Sequence, residues 1–381
     1  MNKAYYIDTY SKGNLHEMYN ASSLLMFSYM FGKIIYVADN TSKQNVENLL
    51  KKLPHNIIFK KIFVPSAHNK IMAFFKQIFA LINNCYYIIK ANKKDIVIIN
   101  YNTMSNIYII NFFAKMFNKK VLIICHGEML TLCMELETSK IFSLSKTFFT
   151  NENINIASGL YFSVLGDVIL KNLKPYISNK IYQKFIPFDH SAIFNNTNSG
   201  EILKNEKLEI GVLGIRANKG FLDLINLGNQ LKCLHEKLNI SIIGKIDCDY
   251  TQIINAGIKI SDITRNSFLS REEMYHRISK LDVILFVYPT NSYKVTASGA
   301  LFDAIDCEKP IIAIKNDYFE YIFKKYGSFG CLVNSFEELE SEIRELVDGK
   351  NYNVDFNKIK KNISPESLAQ DLLKKFNEKI I

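Results

Sequence analysis

Residues 281–314, LDVILFVYPTNSYKVTASGALFDAIDCEKPIIAI, constrain the fold more than any other stretch of the chain. Leu281 to Val287 is a short, continuously apolar run, the pattern of a parallel strand buried on both faces. Pro289 ends that run and a polar loop follows. Ser298 and Gly299 then open a short helix that carries Asp303 one turn in, on the face of Gly299, and Pro310 leads into a second apolar strand. This is a βαβ unit with a small-residue turn at the helix N-terminus. Unpaired N–H groups and the positive end of the helix dipole meet there, so a phosphate is the natural guest. A carboxylate one turn further in can accept hydrogen bonds from ribose hydroxyls.

The same rhythm runs through the chain. Strands are predicted at 4–8, 34–39, 57–64, 95–101, 121–126 and 160–165, and again at 208–213, 240–244, 258–260, 282–287, 311–314 and 331–333, with helices between most of them. Alternation of this kind requires parallel sheets covered by helices on both faces. Between the two sets, residues 191–207 (SAIFNNTNSGEILKNEK) are polar and Asn-rich, and read as a linker. The expected domains are therefore 1–190 and 208–363. A last helix follows over 364–381, with Ser364 as its cap and Pro365 at its first position.

Composition narrows the class. A chain of 381 residues with 48% hydrophobic content can bury two cores, which excludes disorder. Its seven cysteines are scattered and form no C-x-x-C pair, so reduced thiols in a cytoplasmic protein are expected rather than disulfides or zinc. The N-terminus is too polar for a signal peptide. The one stretch resembling a membrane span, 71–90, is interrupted by Lys76, Gln77, Asn83 and Asn84, and is predicted to be a buried amphipathic helix.

Charge is uneven. Residues 1–190 carry 22 lysines against 11 acids, a net of +11, while the remainder is close to neutral. Either coding bias toward lysine or an anionic membrane surface accounts for this. A nucleic-acid partner is not expected, because no arginine precedes Arg216 and phosphate and base readers favour arginine.

A second phosphate-type turn opens the second half. After the strand at 208–213, Gly214-Ile215-Arg216-Ala217-Asn218-Lys219-Gly220 leads into a helix. It is neither a dinucleotide fingerprint nor a P-loop. Arg216 offers a planar fork for two phosphate oxygens, and Lys219 sits where its ammonium can join on a diphosphate.

The pairing of G-x-R-x-x-K-G with the later YPTNSYKVTASGALFDAI-x-x-x-KPII resembles the donor-binding domain of nucleotide-sugar glycosyltransferases of the GT-B fold, nearest the retaining, GT4-like group. The resemblance covers roughly residues 208–335. It implies an α/β protein of two Rossmann-like domains whose parallel sheets face across a cleft. By it, Arg216 and Lys219 hold the donor diphosphate, Ser298 and Gly299 give backbone N–H groups to it, and Asp303 binds the ribose. The family's E-x7-E pair is not intact, because Asp303 replaces the second Glu and Val295 the first; Tyr293 or Lys294 is then expected to contact the donor instead.

The first half would bind the acceptor. Lys12-Gly13-Asn14 follows the first strand, and a glycine there permits close backbone approach to a ligand. Cys125-His126-Gly127-Glu128 closes the fifth strand at its carboxyl end, where ligands gather in such sheets. In the resembling enzymes a histidine at this strand end lies near the transferred sugar, which makes His126 the first catalytic candidate. Glu128 is the second, either orienting an acceptor hydroxyl or capping the next helix, and His16 is a rival general base as in inverting members of the fold. No metal and no cofactor is expected beyond the nucleotide-sugar substrate, since the cations and helix N-terminus can answer the phosphate charge.

The sequence thus points to a glycosyltransferase of bacterial surface polysaccharide or lipooligosaccharide synthesis, transferring a hexose to a glycan or lipid-linked acceptor. Such a protein would be cytoplasmic and peripheral at the inner face of the cell membrane. A nucleotide-sugar epimerase of the same fold and a non-catalytic glycan- or nucleotide-binding homologue are the alternatives.

Overall fold

A computed structural model describes residues 3–133, 140–194, 206–216, 220–260 and 269–380. Lys219 and most of the expected linker, 195–205, lie outside them. The chain divides into two compact units, one of residues 1–193, 295–297 and 362–381, the other of 194–294 and 298–361.

The first unit is built on strands β1 (Lys3–Ile7), β2 (Lys33–Ala38), β3 (Ile57–Lys61), β4 (Ile96–Ile99), β5 (Lys120–Ile124) and β6 (Leu160–Ser163). Their order is β3-β2-β1-β4-β5-β6, and every pairing is parallel. The second unit carries β7 (Leu208–Arg216), β8 (Leu238–Asp247), β9 (Lys259–Ile260), β10 (Val283–Phe286), β11 (Ile311–Ile314) and β12 (Gly330–Val333). Its order, β12-β11-β10-β7-β8-β9, is the same winding seen from the other edge, again all parallel. Each sheet thus has one point where the winding reverses, β1/β4 in the first and β7/β10 in the second. Loops leaving the carboxyl ends there diverge and leave a crevice, which is where open α/β sheets bind ligands.

The reason for the buried strands is legible in their composition. Helices cover both faces of a parallel sheet, so strands cannot alternate polar and apolar. Ile96–Ile99 and Val283–Phe286 are accordingly apolar and buried at every position. The buried Tyr6 of β1 has its polar tip satisfied, the hydroxyl lying 2.6 Å from Ser23 Oγ.

The final helix, Pro365–Lys379, starts as expected, with the Ser364 hydroxyl accepting from the Ser367 amide and Pro365 in the first turn. It packs on the helix Glu17–Met30 of the first unit. Lys375 and Lys379 donate to the carbonyls of Pro187 and Phe185 at 2.8 and 2.9 Å. None of the seven cysteines forms a disulfide among the described residues.

Two expectations need correction. Residues 214–216, read as part of a turn, continue β7. Gly214 takes a positive φ of 68°, the register with β8 slips between Leu213 and Ile215, and pairing then resumes through Arg216 opposite Asp247. A bulge of this kind adds a residue without ending the strand. The second correction concerns 71–90. It forms a helix, Lys70–Lys90, buried only along one side through Ala80, Cys85, Tyr87 and Ile88, while a second set of apolar residues faces outward, with Ile71 68% and Ile82 60% exposed.

Candidate functional site

In the first unit the reversal point gathers polar side chains that apolar strands deliver from their ends. Asp8 follows β1, Asn100 follows β4 and His126 comes two residues after β5. Asp8 is wholly buried. One of its oxygens accepts the amides of Tyr10 and Ser11 at 3.1 and 2.9 Å, and the other accepts from Asn20 Nδ2 at 2.8 Å. Asn20 Oδ1 in turn accepts from Asn100 Nδ2 at 2.7 Å. A buried carboxylate survives only when its oxygens are answered in this way. The chain of bonds folds the 9–14 loop over the end of β1 and fixes Asn100.

That loop carries Gly13, with φ +61° and no atom within 4 Å of where a Cβ would stand. Its amide donates to Thr41 Oγ1 at 3.0 Å, and the exposed Asn14 accepts from Asn45 at 2.9 Å. His16 begins the next helix in a left-handed conformation, φ 56°. Its ring lies 5.6 Å from that of His126, so two candidates 110 positions apart in sequence meet.

His126 Nε2 is 2.8 Å from the Asn100 carbonyl oxygen. A carbonyl only accepts, so Nε2 carries the proton and Nδ1 is left as the acceptor. Burial, with His16 adjacent, pushes the imidazole down to about 3, so it stays neutral at physiological pH. The ring of Tyr19 meets it edge-on at 4.8 Å, and Tyr19 also lies 5.1 Å from the ring of His190, which burial lowers to about 4.

Glu128 Oε2 accepts the His126 amide at 2.9 Å. Burial nevertheless pushes its carboxyl up to about 7. Glu128 Oε1 and Asn102 Oδ1 are buried without hydrogen-bond partners. Both residues line a cavity of about 10 Å³, room for one water, together with Ile107, Cys125 and Met129.

A pH signature follows. The folded carboxyl of Glu128, near 7, lies above the ordinary 4.5. Its stabilising contribution is complete below about pH 4.5 and is lost as pH rises through 7. His126 runs the other way, contributing fully above 6.5 and losing its share as pH falls toward 3. Glu128→Gln is therefore expected to gain about 1–3 kcal/mol over the parent at pH 8 and little at pH 4.5. Urea unfolding at the two pH values measures this, and an equal difference at both contradicts it.

In the second unit the end of β7, Gly220 and the start of the helix after β10 lie at the carboxyl side of the other reversal point. Arg216 ends β7 and is exposed. Gly220, φ +76°, caps the helix Phe221–Gln230, and a Cβ on it would stand 1.8 Å from the Val287 carbonyl oxygen. Only glycine lets the β7 loop lie this close to the end of β10. Ser298 caps the helix Gly299–Asp306, but its hydroxyl makes no capping bond; it is buried and without a partner. Gly299 is exposed, with no atom within 4 Å of a Cβ position. An orphaned hydroxyl at a helix N-terminus costs about 1–3 kcal/mol unless a ligand completes it, and a phosphate oxygen suits that place.

Asp303 is held from a direction the sequence does not announce. Arg271, first residue of the helix Arg271–Ser279, donates Nη1 to Asp303 Oδ1 at 2.9 Å and to the Tyr275 hydroxyl at 3.1 Å. In the loop after β10, Tyr293 takes φ 56° and stacks on Phe319 at 5.8 Å, next to Tyr288 at 5.3 Å. Lys294 is exposed, whereas Val295 is buried. Arg216 at the end of β7, Tyr293 and Lys294 in the loop after β10, and Ser298, Gly299 and Asp303 at the cap and in the first turns of the next helix thus all lie on the carboxyl side of β7 and β10. Asp8, Asn20, Asn100 and Arg271 escape sequence reasoning. A lone Asp directly after an apolar strand was the only signal for any of them.

No protein-family model matches the chain. No curated protein sequence matches it. Among solved structures, a glycosyltransferase from Rickettsia africae superposes with a TM-score of 0.61 at 14% identity, covering 100% of this chain and 98% of that one. The pneumococcal O-GlcNAc transferase GtfA, solved with UDP and GlcNAc, does so with a TM-score of 0.59 at 12% identity over 100% and 98%. UDP-GlcNAc 2-epimerase from Methanocaldococcus jannaschii gives a TM-score of 0.52 at 13% identity over 98% and 100%. The likeness establishes the fold, two Rossmann-like domains of the GT-B kind.

Proposed function

We propose that the chain is a glycosyltransferase, nearest the retaining GT4-like group, that moves a hexose from a UDP-sugar to a glycan or lipid-linked acceptor of bacterial surface polysaccharide or lipooligosaccharide. The observation that supports this reading is an arrangement in the second unit suited to an anion. There an exposed arginine ends β7 and a helix start presents an orphaned serine hydroxyl and an open glycine, at the reversal point of the sheet. The choice of UDP draws on GtfA, which shares the fold and was solved with UDP.

In this reading Arg216, Lys219 and the N–H groups at Ser298–Gly299 take the donor diphosphate, and they answer the charge that grows on its oxygens as the sugar leaves. Asp303, oriented by Arg271, accepts a ribose hydroxyl. Tyr293 and Lys294 contact the donor where the family has a glutamate. The first unit serves the acceptor and the transferred sugar: neutral His126 accepts a sugar hydroxyl at Nδ1, Glu128 orients an acceptor hydroxyl, and the Gly13–Asn14 loop and His16 border them. The diphosphate charge is met by these cations and backbone groups, with no metal or cofactor required.

The likeness to a UDP-GlcNAc 2-epimerase favours one other reading, inversion at C2 of the sugar with no acceptor. Turnover separates the two. The purified chain is incubated with UDP-GlcNAc and UDP-glucose, with and without a lipid extract carrying glycan acceptors. Acceptor-dependent UDP release is expected. Conversion of UDP-GlcNAc to its epimer without acceptor supports the second reading, and absence of any turnover favours a non-catalytic binder.

A further inference from the structure

The helix Lys70–Lys90 carries apolar residues on both sides. Its buried positions are Ala80, Cys85, Tyr87 and Ile88 together with Lys76, only 8% exposed, and Asn84, fully buried. Its outward face carries Ile71, Phe75, Phe79, Ile82, Tyr86 and Ile89, between 41% and 68% exposed. These residues recur every three or four positions, so they form one continuous stripe. At 1.5 Å per residue the stripe is roughly 30 Å long. The helix Ile107–Met116 packs beside it and adds Phe112 and Met116, 57% and 53% exposed. Single exposed apolar residues are ordinary, but a contiguous aromatic face on two neighbouring helices marks an interaction surface.

Charge says what covers it. Residues 48–127, which contain both helices, carry 12 lysines and one acid. That acid, Asp95, is engaged by Lys3 at 3.1 Å. Of these lysines, Lys70 and Lys90 at the two ends of the first helix and Lys115 on the second are exposed and border this face. Lysines flanking an aromatic stripe suit a surface that is anionic outside and apolar just beneath, which describes the headgroup region of a bilayer. A second copy of the chain fits poorly, since two such segments would bring like charges together. Spanning is not at issue, because no helix among the described residues is long and apolar enough to cross a membrane.

We propose that the outward face of the helices Lys70–Lys90 and Ile107–Met116 is a docking surface that lies in the headgroup region of an anionic bilayer. The inference stands on the exposed face and its charge, so its failure leaves the transfer reaction untouched and the reverse also holds.

Vesicle binding by the full chain tests it. The protein should co-sediment with phosphatidylglycerol–phosphatidylcholine vesicles and much less with phosphatidylcholine alone, and added salt should weaken binding. Phe75→Ser combined with Ile82→Ser should lower partition at least about tenfold, because two side chains no longer leave water. The melting temperature should stay unchanged, since both positions are already exposed. The chain has no tryptophan, so Phe79→Trp supplies a lone reporter whose emission should shift to the blue on adding anionic vesicles. Absent sedimentation, an unshifted emission, or binding indifferent to the double substitution overturns the proposal. So does a concentration-dependent dimer, seen by gel filtration, that the double substitution dissolves, since that gives the face to a second copy.

Discussion

Arg216→Ala lowers affinity for UDP by about 1.5–3 kcal/mol, roughly 10- to 150-fold, the range for hydrogen bonds to charged groups. The side chain ends β7, is exposed, and lies close enough to Tyr288 to act on its hydroxyl. Removing it therefore leaves no buried group stranded, and folding stability should hold. Arg216→Lys should recover part of the affinity, because an ammonium keeps the charge but not the planar fork. Calorimetric titration of UDP into the three proteins measures this; equal affinities would remove Arg216 from the donor site.

His126→Ala should reduce kcat by about 10²-fold while the donor KM changes little, because the loss falls on the transferred sugar rather than on the nucleotide. The physical reason is the fixed tautomer. The bond from Nε2 to the Asn100 carbonyl leaves Nδ1 as an acceptor, and burial keeps the ring neutral. A neutral acceptor placed by a backbone carbonyl positions a hydroxyl without titrating. Accordingly, kcat should show no protonation step near pH 6.5 from this group. A step there that His126→Ala abolishes, with kcat otherwise unchanged, would assign it acid–base work instead.

The fold was largely legible because parallel strands are too short and too apolar to mistake. Each of the twelve runs read as strands forms one, and only their ends differ. The ends moved where pairing overrode local chemistry. Gly214 looks like the first residue of a turn, yet a bulge lets β7 pair on to Arg216. Local pattern also placed the helix Lys70–Lys90 and could not tell which face is inside. Its periodicity marks a stripe, and the usual inference that the stripe is buried fails when polar residues such as Lys76 and Asn84 pack inward. The site divides along the same line. Arg216 at a strand end and Ser298 and Gly299 at a helix start have local signatures in glycine spacing and capping. The Asp8–Asn20–Asn100 chain and the Arg271–Asp303 pair join residues 12 to 80 positions apart, and although Asp8 and Asp303 have local signals, nothing in the neighbouring sequence marks their partners.

The central claim, a UDP-sugar site in the second unit, is tested most directly by thermal shift of the purified chain against UDP, GDP, CMP and dTDP and their sugars. A ligand at 100 times its dissociation constant stabilises by about 2.7 kcal/mol. UDP and UDP-sugars should raise the melting temperature, CMP should not, and Arg216→Ala should lose most of the shift. No shift with any nucleotide, or a UDP shift that survives intact in Arg216→Ala, would contradict it.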